Sequence, residues 1–194
     1  MPFFKTYAIL HKNRGGTMKI TLKNGETVTI KRIRAKDYEA VMTFLDKFSR
    51  GKGNIWTNQY PNQPKKDKEK SIQHYEADDE LYLAAWNGKE VIAEGSISLS
   101  KMNHPWSVPQ ASFAISILEE YTSQGLGTRI LKELEKWAIN QKVHRIKATV
   151  RHNNKRGLGL YLKLGYQIEG MARETAFFDN QWQHEYYIAK IVNK

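Results

Sequence analysis

Residues 115–138 read ISILEEYTSQGLGTRILKELEKWA, and the arrangement of the chain follows from how this stretch folds. Ile115, Ile117 and Leu118 form a short, β-prone apolar run. Ile130, Leu131, Leu134 and Ala138 then recur at helical spacing. Gln124-Gly125-Leu126-Gly127-Thr128 lies between them. The pattern predicts a strand, a tight turn and an amphipathic helix over about 124–140. Without a Cβ, Gly125 and Gly127 let the chain turn sharply and let a ligand approach the backbone. The first N–H groups of the helix lack helical partners and sit at the positive end of its dipole. Together these features make an anion site suited to a phosphate or pyrophosphate. Two familiar phosphate motifs do not apply. Gly127 is followed by Thr128-Arg129 where a P-loop needs Lys-Ser/Thr, and two glycines fall short of the dinucleotide fingerprint.

A second informative segment follows about 30 residues on, Asn153-Asn154-Lys155-Arg156-Gly157-Leu158-Gly159-Leu160-Tyr161-Leu162-Lys163-Leu164-Gly165-Tyr166. Asn154 and Tyr161 are seven apart, two helical turns, and so share a face. Gly165 stands where a helix ends in a left-handed residue. The two segments together resemble the GNAT acyltransferases. Gly125 and Gly127 match the family's acetyl-CoA motif, Arg/Gln-x-x-Gly-x-Gly/Ala, with Thr122 at its first position. Asn154, Leu160, Tyr161, Lys163, Gly165 and Tyr166 fall on the family's Asn-x-x-Ala-x-x-Leu-Tyr-x-Lys-x-Gly-Phe/Tyr, with Gly157 replacing the alanine. The resemblance covers about residues 28–192.

At 194 residues and 40% apolar, the chain suits one globular domain with a substantial core. No run approaches the ~20 apolar residues of a membrane span, and the opening MPFFKTYAIL is too short to read as a signal peptide. A cytoplasmic location is expected. The absence of cysteine excludes disulfides, cysteine metal sites and a thiol nucleophile, and six scattered histidines suggest no metal. The formal charge of +11 is spread along the chain without a nucleic-acid signature, which argues against nucleic acid as a partner and suits a solvated basic surface or attraction of CoA phosphates.

Residues 1–18 read as an N-terminal extension and 19–194 as a single domain. Residues 19–23 and 27–31 alternate around Asn24-Gly25, a pairing that suits a type I′ hairpin. A helix then follows with Tyr38, Val41, Met42, Leu45 and Phe48 inward. Residues 50–64 read as a long loop; the resemblance implies that this region helps shape the acceptor pocket, which makes Trp56 and Tyr60 candidates for contact with an acceptor. A short helix is expected over 66–77, with Ile72 and Tyr75 inward. Strands are expected over 81–86, 91–99, 111–118, 145–151, 166–173 and 185–192, with a helix over 154–164. Strands mixed with helices give an α/β architecture. The resemblance implies a central, mixed, mostly antiparallel twisted sheet flanked by helices.

The resemblance further implies an N-acetyltransferase that moves an acetyl group from acetyl-CoA to a primary amine of a small molecule or protein. Backbone N–H groups at Ser123, Gln124, Gly125, Leu126, Gly127 and Thr128, after Thr122, would hold the pyrophosphate. Ile117 would offer main-chain hydrogen bonds to the pantetheine arm and Asn154 would bond its amide. Tyr161 would protonate the departing thiolate, and a phenol of pKa about 10 suits a thiol of about 8.5. Glu94, Glu119 and Glu120 stay open as the base; Glu94, beside Gly95 on a central strand, is the candidate taken. No metal is called for. With no cysteine to carry an acyl group, direct transfer in a ternary complex is expected. The alternative is a non-catalytic GNAT-like module binding CoA or nucleic acid. The aromatic stretch 177–187 suits a pocket cover or a homodimer contact.

Overall fold

A computed structural model describes residues 16–51, 67–101, 104–178 and 180–193, together with the backbone but not the side chain of Phe178. All but the last three residues of the 1–18 extension, and most of the 50–64 loop including Trp56 and Tyr60, lie outside the described residues.

Among the described residues, eight strands form one sheet: β1 Met18–Thr21, β2 Thr27–Arg32, β3 Glu80–Asn87, β4 Glu90–Leu99, β5 Gln110–Ile117, β6 Arg145–Arg151, β7 Gln167–Phe178 and β8 Gln181–Ile191. Their spatial order is β1-β2-β3-β4-β5-β6-β8-β7. Every neighbouring pair is antiparallel except β5 and β6. The helices are α1 Tyr38–Arg50, α2 Lys68–Glu76, α3 Leu126–Asn140 and α4 Lys155–Lys163. This is the mixed, mostly antiparallel sheet with flanking helices that the motifs imply. No helix among the described residues is long and apolar enough to cross a membrane.

The first hairpin differs from the expected type I′ turn. Leu22 and Glu26 still pair through Leu22 N–H to the Glu26 carbonyl (2.8 Å), which leaves a three-residue loop closed by Gly25 N–H to the Leu22 carbonyl (3.0 Å). Only Gly25 takes a positive φ, +87°; Asn24 does not. A three-residue loop with its left-handed glycine last is the next most common hairpin solution.

In α1 the inward stripe is Tyr38, Val41, Phe44, Leu45 and Phe48. Phe44 joins the expected residues because at about 100° per residue it lies beside Phe48 on the helix wheel, while Met42 packs half-buried against the core at the other edge of the stripe. Asp67 caps α2, its Oδ1 accepting from Lys70 N–H (3.2 Å), and Tyr75 is buried as expected. The expected strands 166–173 and 185–192 are halves of one long β7–β8 hairpin.

Helix α3 lies close on the sheet because Gly95 in β4 leaves room. A Cβ there would fall 2.4 Å from Ile130 Cγ2 and 3.3 Å from Leu134 Cδ1. Ile130, Leu131, Leu134 and Ala138 are wholly buried, as their helical spacing requires. Burial of each large apolar side chain contributes about 1.5–3 kcal/mol.

Candidate functional site

Strands β5 and β6 are joined over only three residue pairs, Gln110–Arg145, Ala111–Ile146 and Ser112–Lys147. Beyond Ser112 they splay, and a cleft of about 780 Å³ opens between Phe113–Ile117 and Ala148–Arg151. The turn before α3 closes one wall and the start of α4 another. Past Ser112, the β5 edge facing β6 has no strand partner among the described residues, so it presents a row of backbone groups to whatever enters.

Glu119–Tyr121 forms a short 3₁₀ turn after β5, and the Thr122 hydroxyl donates to the Glu119 carbonyl (2.7 Å) to close it. Ser123 and Gly125 then take positive φ, +61° and +90°. Gly125 tolerates this freely, whereas Ser123 carries local strain of the kind held at binding sites. Helix α3 begins at Leu126, so its first-turn N–H groups have no intrahelical acceptor. Gly127 stands where backbone, α4 and β5 converge. A Cβ on it would be 3.0 Å from Leu160 Cδ2 and 3.2 Å from Ile117 Cδ1.

Of the residues expected to bind the cofactor, Ile117, Thr122, Ser123, Gly125, Gly127, Thr128 and Asn154 line the cleft. The other two side chains do not. Leu126 is core, 1% exposed. The Gln124 side chain turns away from the cleft, its Oε1 accepting the Asn24 N–H of the β1–β2 loop (3.1 Å). What these two bring to the site is backbone alone.

Asn154 caps α4, with Oδ1 accepting from Gly157 N–H (2.8 Å). A Cβ at 157 would approach the Asn154 side chain to 2.8–3.0 Å, so glycine at this position makes room for the cap. Seven residues on, Tyr161 reaches the same cleft and packs edge-on against Phe113, ring centroids 5.3 Å apart. Burial pushes its phenol up to about 12, so it stays a proton donor across the neutral range.

The three candidate bases separate. Glu119 lines the cleft but is ion-paired to Arg156 (3.1 Å). Glu120 is ion-paired to Lys47 (3.1 Å); a backbone hydrogen bond and Lys47 hold its carboxyl below the usual range. Glu94 pairs in register with Ser116, which lines the cleft, and so stands one strand behind it on the same sheet face. Sequence reasoning missed Phe48, Arg151 and Glu185, which also line the cleft. Arg151 is 8% exposed and ion-paired to Glu185 across β6 and β8 (3.1 Å). The signal was the polar alternation of β6, which places Thr149 and Arg151 on one face.

A family model described as the acetyltransferase (GNAT) family matches residues 43–166. The L-amino acid N-acetyltransferase AaaT of Escherichia coli K12 is 24% identical over 98 residues, half of this chain and 60% of that relative's length. Among solved structures, an acetyltransferase of the GNAT family from Streptococcus pneumoniae superposes with a TM-score of 0.76 at 21% identity, covering 85% of this chain and 99% of that one. The yncA protein of Salmonella typhimurium, solved with its cofactor acetyl-CoA, superposes with a TM-score of 0.71 at 15% identity over 86% and 95% of the two chains.

Proposed function

This chain belongs to the acetyltransferase (GNAT) family, and we propose that it transfers the acetyl group of acetyl-CoA directly to a primary amine of a small molecule or protein. One observation carries the reading. The splay of β5 from β6 brings an anion-binding helix start, an unpaired strand edge, an asparagine cap and a buried phenol around a single cleft. The residues fit acetyl-CoA at the first turn of α3, where Gly127 carries no side chain, lines the cleft and packs closely against Leu160 and Ile117 beside N–H groups suited to a pyrophosphate.

The cosubstrate supplies an activated acetyl carbon on a thiol leaving group. Backbone N–H groups of the 123–128 turn hold the diphosphate. The free edge of β5 up to Ile117 takes the pantetheine arm as an added strand. Asn154 has committed its Oδ1 to the helix cap, so it offers its Nδ2 as donor to a carbonyl of the arm. Tyr161 donates its phenolic proton to the sulfur as the C–S bond breaks. Glu94 receives a proton from the acceptor ammonium through water beside Ser116, which frees the nitrogen lone pair for attack.

The curated relative is named for L-amino acids, so free L-amino acids are the first acceptors to try, followed by peptides and other primary amines. Calorimetric titration with acetyl-CoA tests the site itself. Saturable one-to-one binding that is lost in Gly127→Leu supports it, and equal binding by that variant removes the 123–128 turn from the cofactor site.

A further inference from the structure

Behind the cleft, the sheet face that carries Glu94 is polar. Glu94 pairs with Ala84 on one side and Ser116 on the other. Tyr82 pairs with Ser96, two residues on from Glu94. Tyr82 is therefore the diagonal cross-strand neighbour of Glu94, within reach of a long side chain. The Glu94 charge acts on both Tyr82 and Tyr75, whose rings meet edge-on at 5.2 Å between β3 and α2. The Tyr82 hydroxyl hydrogen-bonds the Glu80 carboxylate. Both Glu80 oxygens lie 3.0 Å from Nδ1 of His74. The His74 side chain is 57% exposed, against 16% for Glu80.

We propose that Tyr82, Glu80 and His74 carry to solvent the proton that Glu94 takes from the acceptor amine. The inference rests on the acetyltransferase reading above. In that reaction the ammonium loses one proton to Glu94 and a C–N bond forms; as the C–S bond breaks, Tyr161 gives its proton to the thiolate and regains one from the second N–H proton that the nitrogen sheds on becoming an amide. Glu94 must then shed the proton it holds before the next turnover. Tyr82 accepts it while giving its own to Glu80, Glu80 passes it to His74, and the imidazole releases it to water and resets its tautomer there. Each group gives one proton as it receives one. Burial and the two carboxylates keep the Tyr82 phenol neutral, as a relay group must be.

The other groups facing this path are fixed in place. Arg32 donates to the carbonyls of Tyr75, Ala77 and Glu80 (2.9–3.3 Å) and carries the opposing charge beneath them. The charges of Arg34, Glu76 and Asp78 act on Arg32, and Tyr38 of α1 acts on Tyr75.

The test is the pH–rate profile of thiol release from acetyl-CoA for the wild type, Glu80→Gln and Tyr82→Phe. L-methionine is the first acceptor, with a tripeptide and N-α-acetyl-lysine as alternates. Both variants should lose about tenfold in kcat at neutral pH with the KM for acetyl-CoA unchanged. The gap should close as pH passes the pKa of the amine, because an amine that arrives neutral has no proton to export. His74→Gln, at an exposed position, should show a smaller loss of the same shape. Variant profiles that run parallel to the wild type at every pH, coincident or uniformly lowered, overturn the relay. Failure of the parent reading has a different signature: the wild type itself releases no thiol with any amine, and the relay falls with it.

Discussion

Tyr161 carries the heaviest chemical assignment on a single side chain. Its replacement by Phe keeps the contact with Phe113 and removes only the proton. Turnover should fall by about 10²–10³-fold with little change in acetyl-CoA affinity; steady-state kinetics alongside calorimetry checks this. The phenol works in its protonated form, and burial raises its pKa to about 12. Loss of the acid therefore begins only as pH climbs toward that value, and kcat should show no alkaline limb from this group below about pH 11. The glycines make a second prediction. Gly127→Ala forces Leu160 and Ile117 to give way, and should cost about 1–3 kcal/mol along with acetyl-CoA affinity. Gly125→Ala meets no atom within 4 Å, so its cost should be the backbone strain of φ +90°, about 1–2 kcal/mol. Thermal denaturation of the two variants separates crowding from strain. That Gly127, Asn154 and Tyr161 share one cleft was legible because each position follows from spacing within one segment. The turning of Gln124 was not, since its partner Asn24 is 100 residues away.

Helix α4 is the element on which the proposed cofactor binding and the folding of the chain meet. Asn154 both caps the helix and lines the cleft. Asn154→Ala should lower stability by about 0.5–2 kcal/mol and weaken acetyl-CoA binding as well. Gly157→Ala, which is harmless on helix propensity alone, should produce the same paired defect by pushing Asn154 off the cap. Stability together with affinity for the two variants checks the coupling; a Gly157→Ala protein that gains stability and keeps its affinity would contradict it. The first two hairpins, α1 and α3 could be read from periodicity, with boundaries within about two residues. The full length of β7 could not, because Arg173, Glu174 and Thr175 interrupt the alternation where the register with β8 slips between Ala172 and Ala176. Met42 and Phe44 lie at opposite edges of the α1 stripe, and packing leaves Met42 half-buried against the core while it buries Phe44 fully, which periodicity alone does not decide.

At the scale of the molecule, the proposed function depends on one departure from regularity, the parting of β5 and β6 after three pairs. No local signal announces it. The two strands are 28 residues apart in the chain, from Ile117 to Arg145, and their separation is decided by what packs between and over them. The turn at 123–128 and the Asn154…Tyr161 segment marked two walls of the cleft in the sequence, while Arg151, Glu185 and Phe48 joined it only through tertiary structure. Because the cosubstrate would bridge both sides of the splay, saturating acetyl-CoA should stabilise the whole domain. At a hundred times Kd the gain is about 2.7 kcal/mol, or about 5–10 °C in Tm. The central claim is that this cleft moves an acetyl group to an amine, and the most direct measurement is free-thiol release from acetyl-CoA by the purified chain across L-amino acids, peptides and other primary amines. The account predicts thiol release that requires both the amine and the Tyr161 hydroxyl, with acetylated amine formed in equal amount. Tight acetyl-CoA binding with no amine-dependent release across that panel would contradict it and leave a cofactor-binding module in place of an enzyme.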